Sequence, residues 1–432
     1  EISYMVKKAA LLAAILVLQA GMLAGCTSNE QAAQSAQSQT ETQAQQTQNL
    51  SVQSTVEQTA AQQQEIQPQG SVQFADAGEL SQEQQDLLCD YIDRYYQILG
   101  SFEQQDLSDL FASDAQNGLL AEQLVLEYGI QVRSSQRSDL HLTGYSSTLQ
   151  VQSVQQEEDG NLRVMLREDV TQNFAQHPEV DSNVLDSFHM FELTQEDGSW
   201  KVVSHTGGQD RLYWTLSRSL RNGEGDVSDQ MEQQAQELIE LLQVNVARRE
   251  QTSDEPLPQA ANAYDRQAAV AYAKQWVTDR NDEWPDYSMS GGNCQNFVSQ
   301  CLLAGGIPMD SGGDAVWKWY GDTPNNLPQM AGRSASWSGV DEFLQYAANN
   351  TGSGMVAVAD ADYYSGEIGD VLILGYDEEN LYHAVIITDV VTDEEGNVVD
   401  YLVHSNTANQ ESFPVSAYGY TYQVLVKICG WN

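Results

Sequence analysis

Apolar and polar positions in the last third of the chain predict one short helix followed by a set of strands. Apolar side chains recur there at helical spacing, at Phe297, Val298, Cys301 and Leu302. Asn293 is a favoured residue for capping a helix N-terminus, and Gly305 with Gly306 is a favoured stop. The predicted helix therefore begins at Cys294 and ends before the glycine pair.

Strand-like runs follow this helix, and each is rich in β-branched and aromatic residues. They cover residues 369–376, 381–391 and 398–406. A turn signal at 394–397 predicts that the second and third runs are antiparallel neighbours, and 425–431 is typical of a closing strand. An apolar stripe over 264–280 predicts a helix that opens this part of the chain.

The region before it has the pattern of a separate small domain. Helical spacing covers 81–100 and 119–128, and strand-like runs then cover 140–154, 161–170, 188–193 and 200–205. Helices followed by an antiparallel sheet indicate a small α+β domain, and this order is similar to the nuclear transport factor 2-like cone folds. Spacing, dimerisation and ligand binding all remain open as its role.

A further helical pattern over 225–250 leads into a proline-containing linker at 251–261. This pattern leaves open whether the helix packs on the preceding domain or bridges to the next one.

The first residues have the pattern of a secretory signal. Lys7 and Lys8 precede an apolar run over 9–18, which is too short to span a bilayer. The following Leu23-Ala-Gly-Cys26 resembles the bacterial lipobox, which implies cleavage before Cys26 and lipid attachment to its sulfur. The alternative is an ordinary signal peptide with a chance cysteine. We expect the mature chain at the outer face of the bacterial cell membrane, held there by acyl chains.

Residues 27–74 have the composition of a flexible tether. They are dominated by Gln, Ser, Thr and Ala and contain no Lys or Arg, so they bury too little apolar surface to offset the entropy of folding. A flexible chain of this length reaches about 40 Å. The expected organisation is a signal peptide over 1–26, the tether over 27–74, the α+β domain over 75–218, a helix and linker over 219–260, and a C-terminal domain over 261–432.

Charge and ligand spacing limit the partners of the chain. With 19 basic and 62 acidic residues the formal net charge is −43, so no basic surface exists to neutralise the phosphates of a nucleic acid. His141, His177, His189 and His205 are scattered through the α+β domain, and we expect structural or surface roles for them. No close-spaced pair of Cys and His is present, so we expect neither a metal nor another cofactor.

Cys294 is a candidate nucleophile because of its place in the predicted helix. The unpaired N–H groups and the dipole of a helix N-terminus favour a negative charge, so we expect a lowered thiol pKa. His383 and His404 are the only histidines in the last third of the chain, and neighbouring strands place both on one sheet. A thiolate needs a base and a group that orients that base. The three residues fit the order nucleophile, base, orienter.

The alternative reading of Cys294 is a half-buried structural cysteine. Cys89, Cys301 and Cys429 form no disulfide framework. Cys301 lies about 10 Å from Cys294 along the helix, beyond the reach of a disulfide, and is expected in the core.

Six runs carry a resemblance to a known family: 264–273, 293–302, 317–320, Ser336-Trp337, Gly369-Asp370 and His383. They look like the putative amidase domain family of bacterial surface proteins, which is similar to the NlpC-type papain-like cysteine peptidases that cleave peptidoglycan stem peptides. The match covers about residues 260–432. Members of the family usually have Asp and Thr where this chain has Asn293 and Gln295, and Asn caps a helix equally well.

The resemblance implies a fold and a set of site residues. The implied fold is a papain-like NlpC-type α+β domain, in which the nucleophile helix packs on an antiparallel sheet. Cys294 is the implied nucleophile and His383 the base. His404 is the implied orienting residue, for which Asn406 is the alternative because it shares the same strand face. The oxyanion and substrate side is assigned to Tyr287, Gln295, Asn296 and Trp337.

The predicted function is a surface-anchored cysteine amidohydrolase or peptidase acting on a peptide amide of the cell wall. Thiolate attack forms an acyl-enzyme, which water then hydrolyses. Two alternatives remain: a non-catalytic wall-binding or assembly lipoprotein with a degenerate site, and an acyltransferase that passes the acyl group to an amine. The sequence specifies neither the bond that is cut nor the oligomeric state.

Overall fold

The computed structural model describes residues 67–208, 211–222, 227–310, 312, 316–319 and 332–432. Residues 65–432 form one compact unit. The predicted signal peptide, Cys26 and most of the predicted tether lie outside the described residues.

Among the described helices, none combines the length and the apolar character needed to cross a bilayer.

Eight α-helices lie in the described part of the chain. They are α1 (Gln82–Ser101), α2 (Gln116–Ser134), α3 (Arg211–Asn222), α4 (Ser228–Arg248), α5 (Arg266–Trp276), α6 (Cys294–Ala304), α7 (Ala335–Ser338) and α8 (Val340–Asn349). Local capping starts two of them. Ser81 and Gln84 form a capping box at α1, and the Asp265 side chain accepts the Ala268 N–H at α5.

Eleven strands form a single sheet. They are β1 (Gln69–Asp76), β2 (Leu142–Gln156), β3 (Leu162–Phe174), β4 (Ser182–Glu196), β5 (Ser199–Gly207), β6 (Met355–Ala361), β7 (Val371–Asp377), β8 (Asn380–Thr392), β9 (Val398–Ser405), β10 (Asn409–Pro414) and β11 (Tyr422–Trp431). The spatial order is β1-β2-β3-β4-β10-β9-β8-β7-β11-β6, and β5 also pairs with β4. The protein is therefore a mixed α+β fold.

Strand β1 includes residues that the sequence pattern placed in the tether. It pairs in parallel with β2, from Gln69 opposite Gly144 onwards. Val72 and Phe74 pack against the core. Val72 and Phe74 alternate with polar residues, so their side chains lie on the same face of β1. The Gln-rich composition of the segment gives no sign of this apolar face.

The pairing of β4 with β10 joins two halves of the sheet. The N-terminal half contains β1 to β5, and the C-terminal half contains β6 to β11. Gln410 lies opposite Val184, and Glu411 lies opposite Asn183. One sheet therefore runs through both predicted domains, 75–218 and 261–432. The boundary between these two domains stays a prediction.

Helix α4 contacts both halves, which answers a question that its pattern left open. Met231 and Leu242 pack with residues of α2 and α3. At its C-terminal end, Arg248 donates to the Gln423 carbonyl oxygen at 2.7 Å and to the Asp360 carboxylate at 2.8 Å. The helix packs on the N-terminal half and bridges to β11 and β6.

The C-terminal half of the sheet carries one core on each face. Leu372 and Leu374 belong to a core that continues under α1 in the N-terminal half, and we call this side the first face. Val371 and Ile373 pack with residues of α6, α7 and α8, and we call this side the second face. The alternation along β7 thus fixes which side of the sheet each neighbouring side chain faces.

Two histidines of the N-terminal half lie in a buried hydrogen-bonded chain. Glu168 Oε2 is 2.9 Å from His189 Nε2, His189 Nδ1 is 3.0 Å from His205 Nε2, and His205 Nδ1 is 3.1 Å from Glu122 Oε2. Each ring nitrogen has a partner, so both rings are held in the interior of this half. Within the described ranges, no group of three or more His, Cys, Asp and Glu side chains could hold a metal ion.

Candidate active site

Helix α6 places Cys294 at its first position. Asn293 occupies the N-cap position and Gly305 the C-cap position, so the predicted helix is confirmed. Cys294 is 7% exposed, and Cys301 is fully buried in the core, as expected. The thiol therefore lies at a helix terminus, just beneath the surface.

The Asn293 side chain ties the start of α6 to its surroundings instead of capping the helix. Its Oδ1 accepts from the Tyr287 N–H at 3.1 Å and from Asn296 Nδ2 at 2.9 Å. Its Nδ2 donates to Asn406 Oδ1 at 3.0 Å, and Asn406 Nδ2 donates to the Val277 carbonyl oxygen at 2.6 Å. These bonds connect α6 to the chain that follows α5 and to the end of β9.

Burial decides the protonation state of the nucleophile. Burial raises the pKa of the Cys294 thiol, and hydrogen bonds from the backbone N–H groups of Ala384, Gln295 and Cys294 itself oppose that rise. The expectation of a lowered thiol pKa is therefore wrong. The free-energy cost of desolvating a thiolate is larger than the stabilisation that the N–H groups of the helix terminus provide.

The same N–H group of Ala384 connects the nucleophile to the predicted base. Ala384 follows His383 in β8, and β8 pairs with β9 only from Ile386 onwards, opposite His404. The N–H of Ala384 lies close enough to the Cys294 thiol to oppose the rise in its pKa. The structure thus brings Cys294 against the peptide that joins His383 to Ala384.

The His383 ring packs against two tyrosine rings. Its ring centroid is 5.8 Å from that of Tyr418 and 6.1 Å from that of Tyr420. Its Nε2 is buried and has no hydrogen-bond partner among the described residues. Burial lowers the pKa of His383 to about 4. At neutral pH the ring is uncharged, which is the form that accepts a proton.

His404 lies on the second face of the sheet and His383 on the first. His404 is opposite Ile386, which packs under α5 and α6, and its Nδ1 is 2.8 Å from Thr388 Oγ1. His383 is opposite Leu374, a residue of the first face. The structure therefore does not bring the two histidines together, although both lie on one sheet as expected.

The alternative orienter, Asn406, bonds to Asn293 and Val277. Within the described part of the chain, neither Asn406 nor His404 forms a hydrogen bond to His383. The identity of a third catalytic residue stays a prediction.

The residues predicted for the oxyanion and substrate side are buried around α6. Gln295, Asn296 and Trp337 are fully buried, and Trp337 Nε1 donates to Asn296 Oδ1 at 2.9 Å. Tyr287 is 4% exposed and lies 4.0 Å beneath the Arg333 guanidinium. Gln295 Oε1 is buried without a partner among the described residues. Direct substrate contact by these side chains stays a prediction, since the structure shows them supporting the nucleophile helix.

Sequence reasoning missed the tyrosines that flank His383. Tyr418 donates a hydrogen bond to Gln410 Oε1, which Ser405 Oγ also contacts at 3.1 Å. Burial raises the pKa of Tyr418, and nearby Tyr420 and Cys294 add to that rise. The alternating Tyr418-Gly-Tyr-Thr-Tyr422 run was the available signal. Its position beside the histidine depends on the loop between β10 and β11.

Comparison with known proteins points to the same part of the chain. Residues 263–429 match the family model described as "Putative amidase domain". The chain is also 30% identical over 135 residues to "Uncharacterized protein YhbB" of Bacillus subtilis (strain 168). That alignment covers 31% of this chain and 39% of the relative, so the chain spans about two fifths of the relative's length. No solved structure matches the chain. The C-terminal half thus has the sequence of a domain associated with amide hydrolysis.

Proposed function

We propose that residues 263–429 form a cysteine-dependent amidase in which Cys294 is the nucleophile and His383 the base. The observation that carries the proposal is that Cys294 begins α6, where the N–H of Ala384, the residue after His383, acts on its thiol. The match to an amidase family model supports the reaction class.

The pKa shifts of the two groups suit a proton transfer that takes place during the reaction, since His383 Nε2 has no hydrogen-bond partner among the described residues before it. Burial raises the pKa of Cys294 and lowers that of His383, so both are neutral before reaction. As the sulfur forms its bond to the amide carbonyl carbon, the thiol proton passes to His383. The developing oxyanion is stabilised by backbone N–H groups at the start of α6.

Collapse of this intermediate completes the acylation. His383 gives the proton to the amine nitrogen as the C–N bond breaks, which leaves a thioester on Cys294. Water then attacks the thioester carbonyl, and His383 takes the water proton and returns it to the departing sulfur. The products are a carboxylic acid and an amine.

Asn293 and Asn406 act in this proposal as positioning residues. They hold the first turn of α6 against the end of β9, and they touch no reacting atom. The rings of Tyr418 and Tyr420 pack against the His383 ring.

The proposed substrate is an amide bond in the stem peptides of peptidoglycan. The support is the resemblance of residues 260–432 to wall-cleaving peptidases, together with the secretory pattern and the lipobox-like Cys26. A lipid anchor at the outer face of the cell membrane, with a tether of about 40 Å, would hold the enzyme beside the wall.

Digestion of purified peptidoglycan tests this function. We expect the full chain to release soluble fragments with new carboxyl and amine ends, detected by mass spectrometry. Cys294→Ala should abolish release, and His383→Gln should slow it by about 10²- to 10⁴-fold, the usual contribution of acid–base catalysis.

Cys89→Ala is the matched control, because Cys89 is a free, half-buried cysteine on α1. It should digest the wall at the parent rate. Equal release by Cys294→Ala would overturn the cysteine mechanism, and no release by any protein would favour the binding-module alternative. Fragments that carry an added amine such as glycine, supplied in the buffer, would indicate acyl transfer instead of hydrolysis.

A further inference from the structure

A cavity of about 180 Å³ lies between the N-terminal and C-terminal halves. Its walls come from α1, α2, α3, β3 and β4 on one side, and from β7, β10 and the segment around Tyr418 and Tyr420 on the other. These two tyrosines also contact His383. The cavity is therefore one side chain away from the proposed base.

Arg133 supplies a buried positive charge to this cavity. It is 6% exposed, and two of its N–H groups donate to the Leu99 carbonyl oxygen at 3.1 Å and to Gln172 Oε1 at 3.2 Å. No carboxylate among the described residues forms an ion pair with it. Burial lowers the pKa of Arg133, yet a guanidinium keeps its charge in proteins.

Glu168, a buried carboxylate on β3, is already engaged. Glu168 accepts hydrogen bonds from Tyr96 at 2.9 Å and Ser147 at 2.6 Å, and it contacts His189 at 2.9 Å. It is therefore held by its own partners and forms no ion pair with Arg133 among the described residues. A buried cation without a paired anion is costly unless a ligand supplies the anion.

Two side-chain amides in the lining offer hydrogen-bond donors. Because arginine only donates, Gln172 must turn its oxygen towards Arg133, which leaves the Gln172 amide N–H₂ as a donor. Gln410 likewise uses its oxygen for Tyr418 and Ser405. Neither amide nitrogen has an acceptor among the described residues. One cation and two amide donors form a site suited to an anionic acceptor.

We propose that this cavity binds the free carboxylate of a small ligand, with Arg133 as its counter-ion. A bidentate guanidinium–carboxylate pair satisfies both groups in a buried site. The volume is below the roughly 300–1,000 Å³ of typical ligand pockets, so the cavity admits a single terminal group and no polymer. The inference rests on the proposed function in one respect: it makes the ligand a carboxyl-terminal peptide substrate or the acid product.

Binding of N-acetylalanine and of N-acetylalanine amide to the full chain tests the proposal. The two probes differ only at one end, which is a carboxylate in the acid and a neutral carboxamide in the amide, and calorimetry is done with Cys294→Ala so that no turnover occurs. We expect the acid to bind about tenfold more tightly than the amide, as a charge-assisted hydrogen bond provides. Arg133→Met should reduce this ratio to about twofold or less.

A second variant keeps the test valid if Arg133→Met fails to fold. Gln172→Glu places a carboxylate beside Arg133 that occupies the anion position, so it should remove the preference for the acid while the buried cation stays paired. Arg167→Met is the matched control. Arg167 is an exposed arginine on β3, the strand that also carries Gln172, and it pairs with Asp186 at 2.7 Å. It should keep the tenfold ratio.

Several outcomes overturn the proposal: equal binding of acid and amide, no binding of either at about 10 mM, or a tenfold ratio that survives both Arg133→Met and Gln172→Glu. Each is separable from failure of the amidase. Acid preference without release of wall fragments would retain the site and refute the enzyme, whereas wall digestion without acid preference would do the reverse.

Discussion

At the scale of single residues, burial acts in opposite directions on the two proposed catalytic groups. It raises the pKa of Cys294 and lowers the pKa of His383 to about 4. Both shifts favour the uncharged form, since burial penalises a thiolate and an imidazolium alike. The free enzyme therefore contains a neutral thiol–imidazole pair, and its nucleophile is generated during the reaction.

The pH dependence of alkylation tests this neutral pair. We expect the rate of Cys294 labelling by iodoacetamide to rise about tenfold per pH unit between pH 6 and 8, because only the thiolate reacts and its fraction grows tenfold per unit below the pKa. Peptide-level mass spectrometry measures the rate at each cysteine separately.

Cys89 serves as the reference in the same sample, since burial and the nearby Asp86 raise its pKa as well. A Cys294 rate that stays constant between pH 5 and 7 would show a preformed thiolate–imidazolium pair. That result would contradict the neutral pair.

At the scale of elements, the start of α6 accounts for the asparagine at position 293. The family that residues 260–432 resemble usually has Asp at this position. Here the Asn293 Nδ2 donates to Asn406 Oδ1, and a carboxylate cannot donate. Asn at position 293 and Asn at position 406 thus form a complementary pair that joins the nucleophile helix to the sheet.

Replacing Asn293 with Asp tests this pairing. The new carboxylate can still accept from the Tyr287 N–H, but it faces the Asn406 oxygen. If Asn406 turns its amide, the Val277 carbonyl oxygen loses its donor instead. One buried polar group is left unpaired in either case, so we expect the free energy of unfolding to fall by about 1–3 kcal/mol. Urea unfolding measures the change.

Asn349→Asp is the control, because Asn349 is exposed and its side chain donates, among the described residues, to the Gln345 carbonyl oxygen of its own helix alone. It should alter stability by about 0.5 kcal/mol or less. An Asn293→Asp protein as stable as the parent would show that the Asn293–Asn406 bond contributes nothing to the fold.

The elements that the sequence predicted are those with local signals. Helix α6, strands β7, β8 and β9, and the helix–strand order of the N-terminal half follow from periodicity and punctuation. Strands β1, β6 and β10 were not predicted. β10 is six residues long and contains four polar side chains before its Phe413-Pro414 end, so it has no apolar alternation to detect.

The candidate site divides in the same way. Cys294 was predicted because capping and helical spacing are local. The face on which His404 lies depends on the register of β9 against β8, in which His404 is opposite Ile386. A shift by one residue turns a side chain to the other face, and a single sequence does not determine that register. Arg133 was missed because its role depends on walls contributed by both halves.

At the scale of the whole molecule, the two halves share one sheet and one core. The β4–β10 pairing and the core that includes residues of α1 and of β7 make the C-terminal half dependent on the N-terminal half. The cavity beside His383 exists only because both halves contribute to it. The N-terminal half therefore contributes structure and a ligand pocket to the proposed enzyme, in addition to any spacing role.

Buried titratable groups in the C-terminal half predict how stability depends on pH. Burial lowers the pKa of both His383 and His404 to about 4, below the value of about 6.5 in an unfolded chain. Between pH 6.5 and 4 the unfolded state binds protons that the folded state excludes, so stability falls as pH falls. Burial raises the pKa of Asp400 to about 6, and this group acts in the opposite direction because its folded form takes up a proton first. Each histidine costs about 2 kcal/mol between pH 7 and 5 and Asp400 returns about 1 kcal/mol.

Urea unfolding at pH 7 and pH 5 should therefore show a loss of stability at the lower pH, to which these three groups contribute a net of about 2–3 kcal/mol. Burial also lowers the pKa of His177 and His205, which adds to the loss in every variant. His383→Gln removes one titrating group and should reduce the loss by about 2 kcal/mol, whereas Asp400→Asn removes the opposing group and should enlarge it by about 1 kcal/mol. The two variants change the difference in unfolding free energy between pH 7 and pH 5 in opposite directions. A general loss of stability would not produce this result. An unfolding free energy that is equal at the two pH values in all three proteins would show that these side chains reach solvent and titrate normally.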